Sequence, residues 1–173
     1  GLASLKEMLK DTDKQNIVIL ARDSEKNRKI LDPYRNTAGL EIVWGDLHDY
    51  DVVLKCVKDC DLILHIAAFV SPAADYHPKQ AMKVNYGSTR NLINAIYALG
   101  QQDKTRLVYI GTVAETGDRM PPIHWGRVGD PIKPSMFDYY AVSKVATERL
   151  VIESGLKYWV SLRQTGIIGK AMS

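Results

Sequence analysis

Five short apolar runs, separated by stretches of helical length, constrain this chain more than any other feature. Ile17 to Ala21 (IVILA), Leu62 to Ala67 (LILHIA) and Leu107 to Ile110 (LVYI) are continuous, while Glu41 to Trp44 (EIVW) and Tyr158 to Leu162 (YWVSL) are shorter or mixed. Runs without polar alternation suit strands covered on both faces of a parallel sheet. Between them lie helix-like segments over about 24–31, 50–58, 78–99 and 137–153, and Leu2, Leu5, Met8 and Leu9 open the chain on another at helical spacing. The alternation predicts an α/β fold: a doubly wound parallel sheet with helices on both faces. It reads as a single domain over residues 1–173, incomplete at both ends. No strand precedes the first helix, and RQTGIIGKAMS leaves the last strand without a returning helix.

Hydrophobic residues make up 46% of the chain and charged residues 25%, the balance of a soluble globular domain. The 23 Lys and Arg against 20 Asp and Glu give a formal charge of +3 with no basic block. That argues against nucleic acid and acidic membrane as partners and leaves a small, anionic molecule. No apolar run approaches the roughly 18 residues of a spanning helix, and GLASLKEMLK has no signal-peptide core, so the cytoplasm is the expected location. Cys56 and Cys60 stand four apart in a helical stretch with no companion pair, and are expected to be reduced core or helix-surface residues with no metal.

The stretch from Thr112 to Ser135 holds four of the seven prolines and leaves the end of a strand, which makes it a long loop. In open α/β sheets ligands bind at the carboxyl ends of strands, so chemistry is sought here first. Just beyond it, Tyr140 and Lys144 form a YxxxK pattern on one helical face. A phenol with a reference pKa of about 10 has to lose roughly 2 to 3 units to work near neutrality, and a neighbouring ammonium has the sign to help. The plain alternative is an exposed i, i+4 pair. Thr112, at the end of the preceding strand, either holds a substrate oxygen or caps a turn.

These residues stand in an arrangement that resembles the extended short-chain dehydrogenase/reductase family, the NAD(P)-dependent epimerases, dehydratases and reductases. The resemblance covers nearly all of the chain. WGDL at Trp44 to Leu47 resembles the aspartate-hydrophobe pair beside adenine, with Asp46 and Leu47 as the implied contacts. HIAA at His65 to Ala68 resembles the strand end that passes the cofactor's ribose and diphosphate, with close backbone approach at Ala67 and Ala68. VNYGSTRNL at Val84 to Leu92 resembles VNxxGTxNLL, and GTVAETG resembles SSxxVYG with Thr112 in the place of the catalytic Ser or Thr. LRQTGIIG at Leu162 to Gly169 resembles the strand-end arginine motif at the nicotinamide end, where Gln164 is the implied contact. The fold implied is Rossmann-like. The roles implied are proton exchange for Tyr140, ribose binding and a lowered phenol pKa for Lys144, and oxygen positioning for Thr112.

The chain departs from the pattern as well. The glycine-rich loop GxxGxxG and its strand are missing; Gly1 stands at most for the last glycine, and the chain as printed is expected to be inactive alone. The family order puts that strand between Ile17–Ala21 and the Leu62 run, so these two should not pair. Thr116 replaces the Tyr of VYG, and Gly166 stands where nucleotide-sugar enzymes place an Asn; the RPxxVxG form of the reductases and hydroxysteroid dehydrogenases fits better, though Gln164 replaces its proline. After Ala21 comes Arg22 instead of an acidic residue, which favours NADP(H) over NAD(H) through a grip on the 2′-phosphate. Lys26 and Arg28 read as a solvated face offset by Asp23 and Glu25.

Asn85 either touches the nicotinamide side or bonds backbone. Ser71 and Asp75 are substrate contacts or caps, His65 is a packed core residue, and His124 and Trp125 either shape a pocket or lie on the surface. The expectation is an NAD(P)-dependent oxidoreductase moving hydride between nicotinamide and a carbonyl or alcohol, with a small-molecule substrate and a homodimer as the admissible assembly. Its rivals are a sugar-nucleotide epimerase or dehydratase and a non-catalytic cofactor sensor of the same fold.

Overall fold

All five apolar runs become strands in the computed structural model, which describes residues 1–11, 15–118 and 126–167. They are β1 (Ile17–Ala21), β2 (Leu40–Trp44), β3 (Leu62–His65), β4 (Arg106–Thr112) and β5 (Tyr158–Gln164). Every pairing is parallel: β1 with β2, and β3 with β4 and β4 with β5. Among the described residues this makes a two-stranded and a three-stranded sheet, and β1 does not pair with β3. The chain divides into two compact units accordingly, residues 1–60 with 91–101 and residues 61–90 with 102–173.

In the first unit, α1 (Leu2–Met8), α2 (Glu25–Leu31) and α3 (Tyr50–Val57) accompany β1 and β2. Leu5, Ile17 and Leu31 form the buried centre, with Met8, Ile19, Leu40 and Ile42 packed on it. The helix starts follow from side-chain caps. Ser24 Oγ accepts the Asn27 N–H ahead of α2, and Asp49 accepts those of Asp51 and Val52 ahead of α3.

In the second unit, α4 (Ala73–Tyr76) and α5 (Pro78–Ala81) lead into a π-helical turn, Met82–Gly87, and then into α6 (Ser88–Ala98), whose last turns belong to the first unit. A widened turn loosens the usual backbone bonding, and neighbouring hydroxyls fill in. Ser88 Oγ donates to Val84 O at 2.5 Å and Thr89 Oγ1 to Asn85 O at 2.8 Å. The single helix read over 78–99 is therefore three segments. Helix α7 (Tyr139–Ile152) packs on β4 and buries Ala141, Ser143, Lys144, Thr147, Glu148 and Val151.

Strands covered on both faces were expected throughout, but only β4 approaches this, with Leu107 and Tyr109 fully buried. It is the one described strand with a hydrogen-bonded neighbour on each side. In β5, Tyr158, Trp159, Val160 and Leu162 stay exposed. Among the described residues no helix is long and apolar enough to cross a membrane.

Candidate functional site

Thr112 ends β4 beside Gln164, its partner in register at the end of β5. From Thr112 the chain turns at once into a 3₁₀ turn, Val113–Thr116, fixed by a reciprocal cap. Thr112 Oγ1 accepts the Ala114 N–H at 3.3 Å, and the Glu115 carboxyl accepts the Thr112 N–H at 3.1 Å. Thr112 thus does cap a turn. The Tyr140 phenol lies near enough for the Thr112 hydroxyl to lower its pKa.

The far end of the long loop is pinned to the same turn. Gly117 takes φ +68°, and a Cβ there would lie 2.0 Å from Lys133 O, so the approach admits only glycine. Next to it the Lys133 N–H donates to Glu115 O at 2.9 Å. His124 and Trp125 lie outside the described residues.

Tyr140 is held by its backbone from two sides. Its N–H donates to Asp75 Oδ1 at 3.2 Å, a cap reaching across from α4, while Asp138 caps the Ala141 N–H at 2.7 Å. Its carbonyl accepts from Ser143 Oγ at 2.7 Å, and Ser143 Oγ in turn accepts from Asn85 Nδ2 at 2.8 Å. The rest of the Asn85 amide bonds the Phe69 N–H and C=O, at 2.7 and 3.0 Å. Asn85, 2% exposed, therefore takes the backbone alternative and ties the loop carrying Ala67 and Ala68 to α7. Asp75 acts as a cap, as one of its two readings had it.

The Tyr140 phenol differs from expectation. Burial pushes its pKa up, the Thr112 hydrogen bond pulls it down, and the charges of Glu115 and Asp138 push it up again. Lys144 does not supply the lowering expected of it. Its ammonium is buried, donates to Ile110 O at 2.5 Å and lies 4.2 Å from the centre of the Tyr109 ring. Burial brings Lys144 down to about 8, opposed by Glu115 and Glu148. His65 is packed as expected: it bonds Thr89 Oγ1 at 2.8 Å, and burial holds it at about 4.

Sequence reasoning passed over the group beneath Thr112. Glu115 and Glu148 are both buried, and Arg163 grips Glu148 through Nε, at 3.1 and 3.2 Å, and through Nη2 at 2.5 Å. Ser161 Oγ adds a bond of 2.7 Å to Glu148, which reaches over Gly111, where a Cβ would come within 3.0 Å of its Oε2. Arg163, read as part of the nicotinamide-end motif, is committed to these carboxyl groups. Glu115 falls where SSxxVYG has its Val, and that charged residue in an apolar place was the available signal.

In the first unit, Gly1 caps α1 and is exposed. Arg22 follows β1 directly, and its carbonyl accepts the Asn27 amide at 2.8 Å. Arg28 is spent on Asp23, at 2.5 and 2.7 Å, and lies 4.8 Å from the Trp44 ring, in keeping with an offset surface charge. Asp46 accepts the His48 N–H at 2.9 Å, which with the His48 ring at 2.7 Å holds its carboxyl below the usual range. The Leu47 carbonyl accepts from Asn91 at 3.0 Å. A cavity of about 430 Å³ between α2 and β2, lined by Arg28, Arg35 and Trp44 among others, contains none of the expected contacts.

Each unit offers side chains suited to part of a nicotinamide dinucleotide. The second unit offers paired hydroxyls, a lysine with one donor on Ile110 O out of three, and side chains no larger than methyl at Ala67 and Ala68 as β3 exits. The first unit offers a cation and a carboxylate at strand ends, Arg22 and Asp46.

The chain is similar to known proteins. The family model described as "NAD dependent epimerase/dehydratase family" matches residues 2–171. The "3 beta-hydroxysteroid dehydrogenase/Delta 5-->4-isomerase" of Vaccinia virus (strain Ankara) is 30% identical over 176 residues, covering 89% of this chain and 48% of its own length. Among solved structures, the UDP-Glc/GlcNAc 4-epimerase of Campylobacter jejuni superposes with a TM-score of 0.75 at 20% identity, over 93% of this chain and 50% of that one. The Bordetella bronchiseptica enzyme WbmH, in complex with NAD+, does so with a TM-score of 0.74 at 24% identity, over 97% and 52%. The chain spans about half the length of the curated relative and of both structures.

Proposed function

The chain belongs to the NAD dependent epimerase/dehydratase family, and from that membership we propose that the full-length protein is an NAD(P)-dependent oxidoreductase acting on a carbonyl or alcohol. The observation that carries this is the meeting of two elements at the carboxyl end of β4, where α7, which carries Tyr140, packs against the turn that Thr112 caps and the Thr112 hydroxyl lowers the phenol's pKa. When bound, the dinucleotide supplies the hydride donor or acceptor. Thr112 holds the substrate oxygen, and Tyr140 passes a proton to it or takes one from it. A phenol raised by burial is protonated near neutrality, so the direction it favours is reduction, with Tyr140 as the acid. Lys144, buried and cationic below pH 8, would hold the nicotinamide ribose. Gln164 adds a contact at the same edge, and Ala67 and Ala68 let the backbone approach.

Arg22 would take a 2′-phosphate and Asp46 the adenine, which favours NADP(H). A simple carbonyl or secondary alcohol suits the site better than a nucleotide sugar. Gly166 stands in place of the expected Asn, and the viral relative is named for a hydroxysteroid.

The test is the full-length protein titrated with NADPH and NADH, then supplied with aldehydes, ketones, sterols and nucleotide sugars. Tyr140→Phe should keep folding and cofactor binding while turnover falls by about 10² to 10⁴, the range for one acid/base group. Tyr139, some 100° away around the helix, is the control and should tolerate Phe. Silence at Tyr140 with loss at Tyr139 would overturn the assignment.

A further inference from the structure

Three charged groups lie under the reacting hydroxyls, and their charges and donors do not balance if all are ionised. Glu115 is fully buried, Glu148 is 3% exposed, and among the described residues Arg163 is the one guanidinium between them. Arg163 and Ser161 satisfy Glu148. Glu115 Oε1 is satisfied by the Thr112 N–H, but Oε2 has no hydrogen-bond partner among the described residues, although it lies 3.2 Å from Arg163 Nε. A buried carboxylate oxygen left without a donor is expensive. Two carboxyls within reach of each other remove the cost by keeping one proton: Glu115 Oε2–H then donates to Glu148, and a single anion remains for Arg163.

We propose that Glu115 is a positioning residue of the site, a neutral acid that shares one proton with Glu148 and holds Thr112 by its backbone N–H so that the Thr112 hydroxyl meets Tyr140. One side chain thereby locks the end of β4 to α7 and β5, and its own carbonyl, accepting from Lys133, locks the returning loop as well. The titration agrees. Burial, and next the neighbouring Glu148, push Glu115 up to about 8. Burial works against the Glu148 charge too, yet the bonds from Glu115, Arg163 and Ser161 hold it at about 2. The other titratable groups facing the pair are Lys144 and Tyr140 from α7, Arg163 from β5 and Tyr109 from β4.

The positioning role rests on the reading of Thr112 and Tyr140 as the reacting pair; the shared proton does not, and is measured without substrate. In ¹³C carboxyl-labelled full-length protein, one glutamate should titrate far above the rest and disappear in Glu115→Gln. Thermal unfolding gives a second reading. The folded pair keeps a proton that the unfolded chain has lost above pH 4.5, so the stability due to Glu115 is present at pH 5 and lost towards pH 8. The midpoint of wild type should fall relative to Glu115→Gln across that window; His65 titrates in both proteins and cancels. No high-titrating glutamate, or a difference between the two proteins that is constant from pH 5 to 8, would overturn the shared proton.

For positioning, Gln reproduces a neutral acid, its oxygen accepting from Thr112 and its amide donating to Glu148. Glu115→Gln should keep kcat and its pH profile near wild type. Glu115→Ala should lower kcat by about 10²-fold, the cost of a reacting group displaced by ~1 Å, with the cofactor KM unmoved. Equal losses in Gln and Ala would overturn the role, and so would an active Ala variant. Should Tyr140→Phe itself be silent, the reading of the site fails, and the carboxyl titration still decides the shared proton.

Discussion

Replacing Gly117 by Ala tests the pinch that returns the long loop to the end of β4. An L-residue in the left-handed region costs about 1–2 kcal/mol, and Ala recovers roughly 0.4–1 kcal/mol by stiffening the unfolded chain. That net cost, about 1 kcal/mol, is all Gly100→Ala should show, because Gly100 sits at φ +64° with nothing within 4 Å of a Cβ. At Gly117 the methyl would come 2.0 Å from the Lys133 carbonyl oxygen, so the backbone on one side must yield by more than an ångström. Such overpacking costs about 1–3 kcal/mol, and the displaced Lys133 N–H forfeits its bond to Glu115 for about 1 more. Gly117→Ala should therefore lose about 3–5 kcal/mol against about 1 for Gly100→Ala. With an m-value of about 2 kcal/mol/M, urea midpoints should fall by roughly 2 M and 0.5 M. Two variants equally destabilised would mean that Lys133 does not close on Gly117.

Other perturbations separate the remaining contacts. Asn85→Ala strips the Phe69 N–H and C=O of their partner and should cost about 2–4 kcal/mol in urea unfolding; an unchanged midpoint would mean that the loop after β3 is held by something else. His65, neutral down to about 4 when folded and 6.5 when unfolded, binds its proton first in the unfolded chain, so stability should be lost as pH falls from 6.5 towards 4, by up to about 3 kcal/mol. His65→Gln, tested by unfolding across that range, should flatten this leg. Arg22→Ala should weaken NADP(H) by about 1.5–3 kcal/mol and leave NAD(H) nearly unchanged; an equal loss of both would assign Arg22 to a shared part of the cofactor or to the fold.

The strands were legible because five apolar runs stand between polar turns, and β1 matches its run from Ile17 to Ala21 end to end. The helix-like segments 24–31 and 137–153 became α2 and α7, each beginning a residue or two later because Ser24 and Asp138 cap the helices from outside. Thr112 and Tyr140 could be named because a motif order carried them, but the order said nothing of what surrounds them. Lys144 shows the limit. Spacing put phenol and ammonium on one face, and the depth of the helix on β4 then drew the ammonium to Ile110 O and the Tyr109 ring. The Glu115, Glu148 and Arg163 group comes from three elements distant in sequence, so no local pattern contains it.

The π-helical turn at Met82–Gly87 gives this segment an unusual tolerance profile. It accommodates one residue more than an α-helix would, and Asn85, within it, bonds Phe69 and Ser143. Removing one residue there would let the widened turn close to 3.6 residues per turn, leaving the helix on either side in register while the local placement of Asn85 is lost. Many substitutions at the solvent-facing positions would leave this geometry alone. Length, more than residue identity, is therefore what this stretch has to preserve, and a one-residue deletion among Met82 to Gly87 would disturb the link from Asn85 through Ser143 to the Tyr140 carbonyl without touching Thr112, Tyr140 or Lys144.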